Sequence, residues 1–168
     1  MVKETIERNK LKKDPKYYLA HSVELINSVR KWELKMQSKY DIDLINPFLG
    51  NTFENVEELK SLGTRKKVID YMSRKIGLDL SIKIVKYDLE LLRKCDGLVA
   101  VFKSPSIGTA QEIFVAAYIY RIPVFVICYN YTKHPWLQTL ATLSGGQVFK
   151  YKTHFEKWLH EQGFSKRF

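Results

Sequence analysis

Apolar and polar positions follow two periods along this chain. Lys16-Tyr-Tyr-Leu-Ala20 is a short apolar run and reads as a first strand. From Val23 to about Tyr40, apolar residues recur at Val23, Ile26, Val29, Trp32 (or Leu34) and Met36, which is helical spacing. Asp43-Leu-Ile-Asn-Pro-Phe48 reads as a second strand stopped by Pro47. Gly97-Leu-Val-Ala-Val-Phe102 and Pro123-Val-Phe-Val-Ile-Cys128 are continuous apolar runs, as expected of strands buried on both faces. Around them, Lys83–Cys95 has Ile84, Tyr87 (or Asp88), Leu91 and Leu92 at core spacing, and Thr109–Tyr120 and His134–Leu143 also predict helices. Gln147–Tyr151 predicts a last strand and His154–Gln162 a closing helix. Residues 1–16 form a polar lead-in. Within 51–82, Glu54–Leu62 and Thr64–Ile76 predict an inserted helical segment broken at Gly63 and Gly77.

This alternation predicts one α/β domain over residues 1–168. Its sheet should be five-stranded and mostly parallel, Rossmann-like or flavodoxin-like, with helices on both faces in three layers. In such sheets ligands gather outside the carboxyl ends of the strands. The loops to inspect are then 20–24, 46–52, 103–109 and 129–135.

Composition narrows the partners. A chain of 168 residues that is 45% hydrophobic can bury a real core, which excludes bulk disorder. The net charge of +10 favours anionic partners. The basic residues, however, sit in short separate clusters (Lys12-Lys13, Arg65-Lys66-Lys67, Arg93-Lys94, Lys166-Arg167) and build no known nucleic-acid module. That disfavours nucleic acid against a small phosphate-bearing molecule. No apolar run approaches the roughly 20 residues of a membrane span, and Met1–Lys16 lacks the apolar stretch of a signal peptide. Cys95 and Cys128 have no partner at ligand spacing and read as reduced, buried thiols of a cytoplasmic protein. His134, His154 and His160 lack metal-ligand spacing, so no metal is expected. No P-loop, GxGxxG or Ser/His/Asp triad occurs, and no cofactor is expected.

The most informative stretch is Ser104-Pro-Ser-Ile-Gly-Thr-Ala-Gln-Glu112, which follows a buried strand and feeds a helix N-terminus. Free backbone N–H groups there can hold an anion, and Gly108 permits close approach of the backbone. Glu112 has two readings. Thr109-Ala-Gln-Glu112 matches a capping box, with Thr109 at the N-cap and Glu112 at N3. An acid beyond a central strand also stands where this architecture puts its chemistry. A second acid, Asp88, interrupts an apolar helical face where Ala or Leu would pack more simply.

Four stretches, taken in order, resemble the nucleoside 2-deoxyribosyltransferase-like superfamily, in particular its 2′-deoxynucleoside 5′-monophosphate N-glycosidase branch. They are Tyr18-Leu-Ala-His-Ser22; Asn46-Pro-Phe48; Asp88 with Asp96-Gly-Leu-Val-Ala-Val101; and Ser104–Glu112, which resembles the nucleophile loop. The match runs from about Tyr17 to Asn130. The resemblance implies that Glu112 attacks C1′ of a deoxyribose, that Asp88 assists departure of the base or orients Glu112, and that Tyr18 orients the nucleophile or lines the sugar pocket. It implies a substrate pocket containing His21, Ser22, Asn46, Phe48, Ser106, Gly108 and Thr109. Ser106 stands where the transferases carry an Asp for the sugar 5′-hydroxyl; a serine hydroxyl can donate to a 5′-phosphate that a carboxylate would repel. The alternative for Ser106 is a turn cap.

Two positions depart from the pattern. His21 replaces a small residue and is a phosphate donor, a base contact or a structural filler. Glu24 stands where the glycosidases tend to carry Arg, which leaves Arg30, Lys103 or a neighbouring subunit to supply a cation. The readings that follow are a nucleoside-monophosphate glycosidase, a deoxyribosyltransferase or a non-catalytic nucleotide sensor, acting on a nucleotide or nucleoside. A homodimer is expected, with loop 130–139 (Gln138 or Thr139) reaching a neighbour's site.

Overall fold

The computed structural model describes residues 14–49 and 78–166. The inserted helices expected within 51–76 and the lead-in before Asp14 lie outside the described residues. Five strands form one sheet: β1 (Lys16–His21), β2 (Asp43–Ile45), β3 (Gly97–Val101), β4 (Val124–Ile127) and β5 (Gln147–Phe149). Their order is β2-β1-β3-β4-β5 and every pairing is parallel. This is the doubly wound order in which the chain switches direction between β1 and β3, and a crevice opens at their carboxyl ends.

Five helices complete the described fold: α1 (Ile26–Lys39), α2 (Leu78–Arg93), α3, α4 (Pro135–Leu143) and α5 (Lys152–Glu161). Helix α3 runs as an α-helix over Ile107–Phe114 and continues in π-helical turns over Val115–Tyr120. No described helix is long and apolar enough to cross a membrane. Cys95 and Cys128 are both free and buried.

Strand alternation sorts the side chains into two cores. Tyr17, Leu19, Val99, Val101, Phe125 and Ile127 face Val29, Trp32 and Met36 of α1 and Phe155 and Leu159 of α5. Tyr18, Ala20, Leu98, Ala100, Val124 and Val126 face Leu92 of α2, Ile113 and Ala116 of α3, and Leu137 and Leu140 of α4. The second face is lined with small residues beside α3. That lets the helix lie close to the sheet and brings its polar side chains over β1.

Several element ends differ from the sequence expectation. Strand β2 stops at Ile45, and Pro47–Leu49 is a 3-10 turn rather than strand through Phe48. Proline cannot donate to the ladder, so pairing ends before it. Helix α3 starts at Ile107 rather than Thr109, and α2 is already helical at Leu78 rather than Lys83. On α1, Trp32 is the buried choice and Leu34 is exposed.

The turn into β5 has a strict steric requirement. A Cβ on Gly146 would lie 1.9 Å from the Val124 carbonyl oxygen. That neighbour is the backbone of a central strand and cannot move aside. Gly146→Ala is therefore expected to destabilise the fold by about 2–3 kcal/mol, measured as a lower midpoint in urea unfolding.

Candidate active site

Tyr18 sits inside β1, the strand flanked by β2 and β3, and its side chain is fully buried on the α3 side of the sheet. Its hydroxyl donates to Glu112 Oε1 at 2.6 Å, across 94 positions of sequence. The position of Glu112 follows from how α3 begins. Ser106 is the N-cap residue, extended at φ −129° and ψ 123°, and its carbonyl accepts from Ala110 N–H. Glu112 then falls in the second helical turn, on the flank facing Tyr18.

The capping box is thereby corrected. A capping box needs an extended residue at its first position, and Thr109 is already helical and buried. Its hydroxyl donates to Ser106 Oγ at 3.3 Å, and Glu112 spends its acceptor on Tyr18. No side chain caps α3.

Asp88 enters from α2, half-buried, and its charge acts on both Tyr18 and Glu112. Burial pushes the Glu112 carboxyl up to about 8; Asp88 adds to this and the Tyr18 hydrogen bond opposes it. Burial pushes Asp88 up to about 6. Burial, with the neighbouring Glu112 carboxylate, also holds the Tyr18 hydroxyl well above its ordinary range, so it stays a proton donor. Desolvation of the Glu112 carboxyl outweighs a helix-dipole contribution of about 1 kcal/mol. Burial thus raises Glu112 more than Asp88, and each carboxyl holds its proton more tightly than a free acid does.

The remaining predicted residues form two further groups at the same edge of the sheet. At the start of α3, Ser106 and Thr109 bond to each other, and Gly108 is exposed with nothing within 4 Å of the place a Cβ would take. Nothing in the fold therefore requires glycine there, and the space above it is open. Beyond β1 and β2, His21, Asn46 and Phe48 form a cluster. The His21 ring stacks at 4.9 Å on Phe48, and its nitrogens face Ser22 O at 3.0 Å and Asn46 Oδ1 at 3.4 Å. Burial holds His21 below the usual histidine range, against the pull of those two acceptors. By strand alternation its ring lies on the α1 and α5 side, opposite Tyr18. Ser22 Oγ is buried without a hydrogen-bond partner among the described residues. The loops after β1 and β3 are joined where Ser104 Oγ donates to Glu24 Oε1 at 2.7 Å.

Two features escaped the sequence. Glu33 is a fully buried carboxylate on α1, held by Asn46 and Arg30. Its signal was its spacing, four residues after Val29 and three before Met36 on the buried stripe. The other is an apolar groove of about 480 Å³ between α3 and α4, lined by Ile107, Phe114, Tyr131, Trp136 and Leu137 among others. It contains none of Tyr18, Asp88 and Glu112. Among the described residues no cluster of His, Cys, Asp and Glu could hold a metal ion.

Among solved structures, the chain is similar to a 2-deoxyribosyltransferase from the psychrotolerant bacterium Bacillus psychrosaccharolyticus. The TM-score is 0.58, the identity is 19%, and the match covers 91% of this chain and 99% of that one. The fold is that of a 2-deoxyribosyltransferase. No family model matches the sequence, and no curated protein matches it. The Tyr18–Glu112 pair joins β1 to the helix that follows β3, the two strands between which the strand order reverses.

The raised Glu112 value has a consequence for stability. The folded chain binds this proton more tightly than the unfolded chain, whose carboxyl titrates near 4.5. The resulting stabilisation is fully present below pH 4.5 and is lost as pH rises through about 8. Glutamine does not titrate. Glu112→Gln is therefore expected to gain stability over the wild type by roughly 4 kcal/mol between pH 5 and pH 9, read from denaturant midpoints across that range.

Proposed function

We propose that this protein hydrolyses the N-glycosidic bond of a (deoxy)nucleoside 5′-monophosphate, with Glu112 as the nucleophile. The observation that carries the reading is the 2.6 Å contact between buried Tyr18 and Glu112, with Asp88 beside them, in a deoxyribosyltransferase fold. The reaction needs one proton on the Glu112–Asp88 pair, and the raised values of both carboxyls favour its retention. As Glu112 ionises and its oxygen bonds C1′, the C1′–N bond breaks and the electron pair leaves with the base. The proton passes through Asp88 to that base. Water then adds its oxygen to C1′, the glycosyl–Glu112 ester breaks, and the water's proton returns to the pair. Tyr18, held as a donor, keeps Glu112 Oε1 aimed and shares its charge.

Monophosphate preference is supported by three features: the open backbone above Gly108, Ser106 in place of a carboxylate at the N-cap of α3, and the unpartnered Ser22 hydroxyl. A helix N-terminus with uncapped N–H groups suits a phosphate dianion. The second reading is base exchange, a deoxyribosyltransferase, and the fold of the solved neighbour favours it. An acceptor base competing with water separates the two. A cytoplasmic protein with no cofactor fits either.

Base release from the nucleoside monophosphates, with free nucleosides in parallel, is expected to be fastest for a monophosphate and to fall at least 10³-fold in Glu112→Ala. For the wild type, kcat/KM should fall as pH rises through about 8, because the Glu112–Asp88 pair then loses the proton that the departing base needs. A Glu112→Ala protein as active as the wild type would sink the glycosidase reading. A preference for free nucleosides would sink the role given to Ser106.

A homodimer belongs to the same proposal. Ile107, Trp136 and Leu143 are 81%, 64% and 72% exposed on α3 and α4, next to the apolar groove and to loop 130–139. Sedimentation is expected to show a dimer for the wild type and a monomer for Trp136→Glu, since one charge in an apolar interface core outweighs the contacts it replaces.

A further inference from the structure

A buried ionised carboxylate is costly unless its partners need it. Glu33 is 1% exposed, on the face of α1 that packs against the sheet, where leucine or methionine would fill the space without charge. Both of its oxygens are engaged. Arg30 Nη1 donates to Oε1 in a close ion pair, and Asn46 Nδ2 donates to Oε2 at 2.8 Å. The other end of the same amide, Asn46 Oδ1, accepts from Phe48 N–H at 3.1 Å and faces His21 Nε2 at 3.4 Å.

An asparagine amide can turn over, exchanging its oxygen and nitrogen. Here one orientation wins for a stated reason. Turned over, its oxygen would face a carboxylate and its NH2 would face the Phe48 N–H, two repulsions between buried groups. Glu33 is what removes the ambiguity, because a carboxylate only accepts. The Asn46 oxygen is thereby committed to Phe48 and His21, whose rings stack at the carboxyl edge of β1 and β2. Lys152 acts electrostatically on His21 from the α5 side.

We propose that Glu33 is a positioning residue for substrate binding: through Asn46 it sets the His21–Phe48 wall of the nucleotide pocket. The role rests on the nucleotide reading above, and it concerns binding rather than bond cleavage, because neither Glu33 nor Asn46 touches Glu112. The structure commits Arg30, one of the cations the sequence offered for a phosphate, to Glu33 instead, and it contributes to the wall only through that carboxylate.

A double-mutant cycle on base release tests this. Glu33→Gln is expected to raise KM roughly tenfold and to leave kcat within about twofold. In an Asn46→Ala background the same substitution should add less than about twofold to KM, because its route to the pocket is gone. Arg30→Met, which keeps the Glu33–Asn46 bond, should lower thermal stability and leave KM within about twofold. Glu33→Asp, too short to reach Asn46 but still charged beside Arg30, gives the same KM split where Glu33→Gln does not fold. Equal KM effects of Glu33→Gln with and without Asn46, or a KM rise in Arg30→Met as large as in Glu33→Gln, would overturn the role and leave Glu33 a stabilising residue only. If the wild type releases no base from any nucleotide, the functional reading fails separately. The positioning claim is then decided in the free protein by NMR: Glu33→Gln is expected to shift the Asn46 side-chain amide, the Phe48 N–H and the His21 ring signals, and unchanged signals overturn it.

Discussion

The contact between the Tyr18 hydroxyl and the Glu112 carboxyl is the constraint around which this molecule is arranged. It joins the strand nearest the sheet's switch point to the helix that covers it. Both groups are polar and largely removed from water, so neither can be left alone without a desolvation penalty of about 1–3 kcal/mol. Each satisfies the other. Small residues on that face of β1, β3 and α3 allow the approach, and the bulky aromatic residues are sent to the opposite face with α1 and α5. The asymmetry between the two layers is therefore tied to the site.

The same burial sets the proton inventory. Desolvation raises Glu112 more than Asp88, and the two acids separate to about 8 and about 6. The larger shift falls on the more enclosed carboxyl, because the penalty of burial falls on its charged form.

A second network lies on the other side of β1. His21, Asn46, Phe48, Glu33 and Arg30 use side-chain hydrogen bonds where the chemical centre uses one short bond and a nearby charge. The two networks meet at the carboxyl edge and share a strand, since Tyr18 and His21 are three residues apart. Alternation sends their side chains to opposite faces.

The sequence by itself determined the layered α/β class. Continuous apolar runs such as Gly97–Val101 can only be strands buried on both faces, and the helices between them leave parallel pairing as the remaining solution. It also determined which acids to watch, because Asp88 interrupts an apolar helical face and Glu112 follows a buried strand and its loop. Element ends, and everything that depends on them, belong to the tertiary structure. Starting α3 at Ile107 takes Thr109 out of the N-cap and turns a capping glutamate into the partner of Tyr18. Why a glutamate shares that stripe depends on Asn46, just past β2, which helical spacing cannot show. Periodicity reports which side of an element faces the core. It does not report what waits there, and pairings 94 positions apart exist only after the sheet has brought them together.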